Sequence, residues 1–206
     1  MNDYIKSIQK ALSDSKQFFS NANKQDRELW VLHEFLSYLP IDIVASDIVP
    51  APKEPNDVIY GHYGFQVKEV LSEGRKRGDE YSDKLDAITE ETQPEDLLEP
   101  YSPIHIPLSD VMSRVASDLA RHRVEKYERP GKPTNAGNID VLVYLNLSST
   151  TYTSQQVTDI QDEFNNWKSV SLVSNNCAVV LACSDHCNQL LAPHERTLFV
   201  KKHVKN

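Results

Sequence analysis

The run IDVLVYLNL, residues 139–147, constrains the fold more than any other stretch of the chain. It is nearly continuous in apolar and β-branched residues, yet far short of the roughly 20 residues that a membrane-spanning helix needs. It reads as a buried strand, and a buried strand needs other layers to cover it.

The flanking segments supply those layers. Residues 3–19 set Ile5, Ile8, Leu12 and Phe19 near one face at helical spacing. After a polar break at 20–24, Asp26 can cap a second helix with a stripe of Leu29, Leu32, Phe35, Leu36 and Leu39, ended by Pro40. IDIVASDIV, residues 41–49, reads as a strand. Beyond Pro50, Pro52 and Pro55, two strand-like runs at 57–60 and 65–71 are joined by a turn holding Gly61 and Gly64. Residues 74–100 are charged and begin as an exposed helix. Ser109 can cap a long helix with Val111, Met112, Val115 and Leu119 on its apolar side, running to about Tyr127. RPGKPTNAGN is a loop. A polar helix at 154–167 and strands at 169–173 and 177–182 follow, and RTLFVKKHV is a last strand or an arm. Helix, three strands, helix, strand predicts an α/β fold with a mixed central sheet flanked by helices. Residues 1–23 form an N-terminal helical extension and 24–206 the α/β domain.

Length and composition fit this reading. The 206 residues allow one domain with a terminal extension. The opening MNDYIKSIQKAL has neither an apolar signal core nor a cleavage site, so a cytoplasmic protein with no membrane partner is expected. Cys177, Cys183 and Cys187 are too few and too clustered for a disulfide framework. CSDHC, with Cys183, His186 and Cys187, falls short of the four ligands of a structural zinc site unless Cys177 or His194 joins it. The net charge of −8 argues against a general nucleic-acid coat, but the charge is segregated. Residues 79–99 carry nine acids against Lys84, while basic residues gather at Arg75, Lys76 and Arg77, at Arg121, Arg123, Lys126 and Arg129, and near the C-terminus. For Arg121, His122, Arg123 and Lys126 on the long helix, a solvent face is the plainer reading and DNA contact the alternative.

One segment asks for chemistry. In EPNDVIYGHYGFQVKEVL, residues 54–71, a lysine stands among Phe65, Val67, Val70 and Leu71. Strand alternation puts Gln66 and Lys68 on one face, with Val67 and Glu69 on the other. Hairpin pairing can then bring the Asp57 carboxylate beside them. A carboxylate and an amide oxygen suit a hard divalent cation, with water and phosphate oxygens completing its shell. The Lys68 ammonium would stabilise charge on an attacking water or on the phosphate. A turn-residue role for Asp57 is the competing reading.

Asp57, then Gln66-Val67-Lys68 on the following strand, resembles the PD-(D/E)XK (restriction-endonuclease-like) nuclease superfamily. The longer text PNDVIYGHYGFQVKEVLSEGRKRGDEY, with RELWVLHEFL upstream, is similar to a bacterial domain-of-unknown-function family labelled as candidate endonucleases, over residues about 24–200. That resemblance implies an αβββαβ core and a metal-dependent endonuclease. Mg²⁺ or Mn²⁺ would be the cofactor and nucleic acid, DNA first, the partner. A homodimer is compatible with it. It implies Asp57, Gln66 and Lys68 as catalytic residues, Asp57, Gln66 and Glu34 as metal ligands, and Arg75, Lys76 and Arg77 as the phosphate grip. Two departures stand out: Asn56 separates Pro55 from Asp57, and Gln66 replaces an acid. A catalytically degenerate nuclease fold, kept as a nucleic-acid-binding or protein-interaction module, is the alternative.

Overall fold

In the computed structural model the described residues are 3–72, 74, 78–89, 91–97, 104–129, 131, 135–147, 150–153 and 162–200. Along the chain they form α1 (Asp3–Phe18), α2 (Lys24–Leu36), β1 (Ile48–Pro50), β2 (Val58–Tyr60) and β3 (Tyr63–Leu71). Then come α3 (Asp79–Ala87), β4 (Ile104–Pro107), α4 (Leu108–Lys126), β5 (Asp140–Asn146) and β6 (Thr150–Thr153). The described chain closes with β7 (Ser169–Val173), β8 (Cys177–Cys183) and β9 (Leu198–Val200).

Seven strands make one mixed sheet in the order β1-β2-β3-β5-β7-β8-β9. Its centre, β3-β5-β7, is parallel. β1 and β2 join it as an antiparallel meander, and β8 and β9 extend the far side antiparallel. β4 and β6 pair separately as a two-stranded parallel sheet that the sequence reading did not foresee.

Alternation along β5 explains why it is buried on both sides. Leu142 and Tyr144 pack with Leu32, Phe35 and Leu36 of α2. Val141, Val143 and Leu145 pack with Val111, Met112, Val115 and Leu119 of α4, together with Trp167. Each large apolar side chain buried this way contributes about 1.5–3 kcal/mol. α1 packs against α3, and Phe19 stacks on Tyr81 with ring centroids 5.6 Å apart.

Several boundaries differ from the sequence reading. Of the 41–49 run only Ile48 and Val49 enter a strand; Ala45–Asp47 is a 3-10 turn and Val44 is exposed. The β-branched residues there lack a neighbouring strand, because β2 offers only three residues to pair with. α2 starts at Lys24, before Asp26, and Leu39 is buried just past its end. α4 starts at Leu108 behind Pro107, so Ser109 is not its cap. In the 154–167 segment, Asp162–Asn166 is a 3-10 turn that buries Phe164, and 154–161 lie outside the described residues. Residues 198–200 form a true strand.

Candidate functional site

The site is built on the free flank of β3. Gly61, at φ +59°, allows the two-residue loop that pairs Tyr60 with Tyr63. Gly64 leaves the space that the Asn56 side chain fills. Since β2 pairs only with the first residues of β3, the strand has no β2 partner from Gln66 onward. Asp57 serves that flank. Its N–H donates to the Phe65 carbonyl at 2.8 Å, and its Oδ2 accepts the Val67 N–H at 2.9 Å. A strand residue points its N–H and C=O toward the same neighbour, so the Val67 carbonyl faces this flank too.

The first turns of α2 lie against it. Lys24 Nζ is 3.1 Å from Glu28 Oε1 and 3.6 Å from Asp57 Oδ1. The lysine side chain is 62% exposed, whereas Glu28 and Asp57 are only 10% and 18% exposed. One exposed cation thus stands between two largely desolvated carboxylates. Burial, then the neighbouring Asp57 carboxylate, raises the Glu28 pKa above its ordinary value, while Lys24 opposes this. A pocket of about 240 Å³ opens here, lined among others by Lys24, Glu28, Val67 and Lys68. Its floor is structural. Arg27 donates to the Phe18 and Ser20 carbonyls at 3.3 and 3.0 Å and faces Glu69 at 4.0 Å, and Glu69 accepts from Asn146 at 2.8 Å.

Gln66 turns toward α4, whereas Lys68 lines the pocket. Gln66 is fully buried; its Nε2 donates to the Pro55 carbonyl at 3.0 Å, and its Oε1 lies 3.1 Å from His122 Nε2. A carbonyl can only accept, which fixes the amide orientation and makes His122 Nε2–H the donor. Burial, then Lys68 and Lys126, pushes the His122 pKa down to about 4, so the ring is neutral near pH 7. The ring stacks on Trp167 with centroids 6.2 Å apart. Burial lowers the Lys68 pKa to about 8; Asp57 and Glu28 resist this, and Lys126 and Lys24 reinforce it. Lys126 itself pairs with Glu54 at 3.5 Å.

The Asp57 charge is thus felt at Lys68, while both polar ends of the Gln66 amide are engaged by Pro55 and His122. Glu34 is not at the pocket. It lies beside Tyr38, whose hydroxyl donates to the Ser174 carbonyl, near the C-terminal end of α2. The helix brings Glu28 to Asp57 instead, because Glu34 is six residues, about 9 Å, further along. Arg75, Lys76 and Arg77 lie outside the described residues. His122 faces the sheet through Gln66, and Lys126, 31% exposed, reaches Glu54. The missed residues carried faint signals: Lys24 and Glu28, and His122 and Lys126, are each spaced i,i+4 on one helix face. Cys177 and Cys183 are at opposite ends of β8, about 20 Å apart by strand rise, so they cannot share a zinc ion. Among the described residues no three His, Cys, Asp or Glu side chains converge to hold a metal.

Fold and site define a mixed α/β protein with a pocket beside the third strand of its sheet, where Lys24 links Glu28 to Asp57. The chain belongs to the family described as "Putative endonuclease, protein of unknown function (DUF1780)", whose model matches residues 1–205. Among solved structures, a Pseudomonas aeruginosa protein of unknown function, described under a monooxygenase superfamily, shares 23% identity. The TM-score is 0.64, with 98% of this chain and 97% of that chain covered, and the likeness is one of fold. No curated protein matches the chain. Among the described residues no helix is long and apolar enough to cross a membrane.

Proposed function

We propose that this pocket hydrolyses phosphodiester bonds of nucleic acid, DNA first, with a divalent cation such as Mg²⁺ or Mn²⁺. The observation that carries the reading is the Lys24 ammonium between Asp57 and Glu28, with Lys68 beside them. That ammonium stands where a metal would sit. The donor set suits a hard cation: two carboxylates and, on the same flank, the Val67 carbonyl, with water completing the shell. Gln66 does not fit as a ligand, since its oxygen already accepts from His122. The family description and the order α2-β1-β2-β3-α4-β5, with α3 and β4 inserted before α4 and β3 parallel to β5, support a restriction-endonuclease-like core.

A cation bound there would polarise a phosphoryl oxygen and lower the pKa of a bound water. The chain's own residues do the rest. Asp57 is held in place by the Val67 N–H, so its second oxygen is directed outward at little entropic cost. Lys68, with its pKa lowered to about 8, offers either an ammonium for developing phosphate charge or a free amine to accept a proton from water. Arg75, Lys76 and Arg77, next in sequence to β3, would grip the nucleic-acid backbone, which sets affinity rather than sequence choice.

The test is nuclease assay of the purified chain on duplex, single-stranded and RNA substrates with Mg²⁺ or Mn²⁺. Cleavage is expected, and Asp57→Asn, Glu28→Gln and Lys68→Ala should each reduce it by at least about a hundredfold, as loss of a transition-state electrostatic contact does. A wild-type chain inert on all substrates, or variants as active as wild type, ends the hydrolase reading. The degenerate module is favoured by one observation, the Gln66 amide locked between Pro55 and His122. It predicts no Mn²⁺-dependent rise in Tm, whereas metal at a hundred times its Kd would add about 2.7 kcal/mol of stability.

A further inference from the structure

Away from the pocket, two thiols meet at the end of β8. Cys183 closes the strand, and the chain turns through exposed Asp185 and His186 to Cys187. Their Sγ atoms lie 2.8 Å apart, in hydrogen-bonding contact and within about an ångström of a disulfide bond length of ~2.04 Å. Backbone contacts build this meeting. Cys187 N–H donates to the Ser184 carbonyl at 2.9 Å, Ser184 N–H donates to the Lys168 carbonyl at 2.9 Å, and Cys183 N–H donates to Glu195 Oε1 at 3.1 Å. Both cysteines are half-buried, and the residues between them are open to small solutes. Cys177 is the opposite case, 3% exposed at the start of the same strand.

Cys187 Sγ–H is the donor in this contact and also reaches the Asn188 carbonyl at 3.5 Å. Whichever sulfur loses its proton has the other within reach, which is the arrangement an attacking and a resolving cysteine need.

We propose that Cys183 and Cys187 are a reversible redox-modification site, closed to an intramolecular disulfide by small-molecule disulfides of the oxidised-glutathione class and reopened by thiols. One of the two cysteines, as thiolate, attacks one sulfur of the small disulfide, forming a mixed disulfide and releasing one thiolate. The other cysteine, giving its proton to solvent, then attacks the first cysteine's sulfur and releases the second thiolate. Two protein thiols are oxidised and one small disulfide is reduced to two thiols, which take up the two protons. The fold need not open for this, since the sulfurs already touch.

The test uses the full chain equilibrated across graded ratios of reduced to oxidised glutathione, then acid-quenched, alkylated and mapped by mass spectrometry. A Cys183–Cys187 cross-link should appear and reverse with the ratio, with Cys177 alkylated throughout and the far-UV circular dichroism unchanged. Cys183→Ser and Cys187→Ser should each accumulate glutathione on the cysteine that remains, since the resolving sulfur is gone. Both thiols free at every ratio, or cross-links through Cys177 or between chains, would overturn the proposal.

Discussion

Lys68 joins stability to the proposed chemistry. Its amine titrates at about 8 in the fold against an ordinary 10.5, chiefly because it is buried. Below about pH 8 the fold carries the full penalty of that buried charge. Between about 8 and 10.5 the unfolded chain holds the extra proton, so this group's contribution makes stability rise with pH. Lys68→Met is therefore expected to melt above wild type at pH 7, with the gap closing toward pH 10.5, while abolishing any cleavage. A variant that melts lower at pH 7, followed by scanning fluorimetry, would show the ammonium to be stabilising instead. His122 runs the same way at lower pH. Its folded pKa of about 4 lies below the ordinary 6.5, so the wild type loses stability from this group as pH falls through that window. His122→Gln should cost about 1 kcal/mol at pH 7 by weakening the contact with Gln66. The deficit should shrink by pH 4, because the variant has no ring to protonate. Urea titrations at the two pH values measure the difference, and a gap independent of pH would refute the assignment.

The β2–β3 hairpin sets the distance between Asp57 and Lys68, and its turn rests on Gly61. With φ at +59° and nothing within 4 Å of a built Cβ, substitution there meets only backbone strain. Gly61→Ala should cost about 1–2 kcal/mol in urea unfolding, the ordinary penalty of a left-handed conformation, and Gly61→Asn noticeably less. Equal stability of the two variants would mean that the turn rearranges. This hairpin also shows how much could be read in advance. Alternation and turn glycines marked β3 and the buried β5, since period and turn chemistry are local; that Asp57 binds the Val67 N–H was not foreseen. The 41–49 run misled because Ile41 and Ile43 pack against the α2-side core with no strand to pair with and Val44 is exposed, a fact of tertiary context. Glu28 was passed over for Glu34 because position along α2, rather than residue type, decides which acid reaches Asp57. The closed amide of Gln66 depended on His122, fifty-six residues away, and no local pattern could give that partner.

The sheet is a shared wall between two cores, one under α2 and one under α4. β5 contributes alternate side chains to both, so neither layer can lose its packing without exposing the other's support. This arrangement predicts a single cooperative unit, as small domains usually are. The chain carries its own reporters, since its two tryptophans lie on opposite faces. Trp30 meets Tyr144 edge-on at 5.3 Å on the α2 side, and Trp167, 1% exposed, packs with His122 and Tyr127 on the α4 side. Trp30→Phe leaves a fluorescence probe of the α4 layer alone, and Trp167→Phe leaves one of the α2 layer. Each variant will have its own midpoint, so the comparison is made within a variant, between its fluorescence and its far-UV circular dichroism in the same urea series. The two curves should coincide in both proteins. If fluorescence of Trp30 moved before the dichroism, α2 would be detaching from an intact sheet. Asp57 and Glu28 would then be held together only while that helix stays docked.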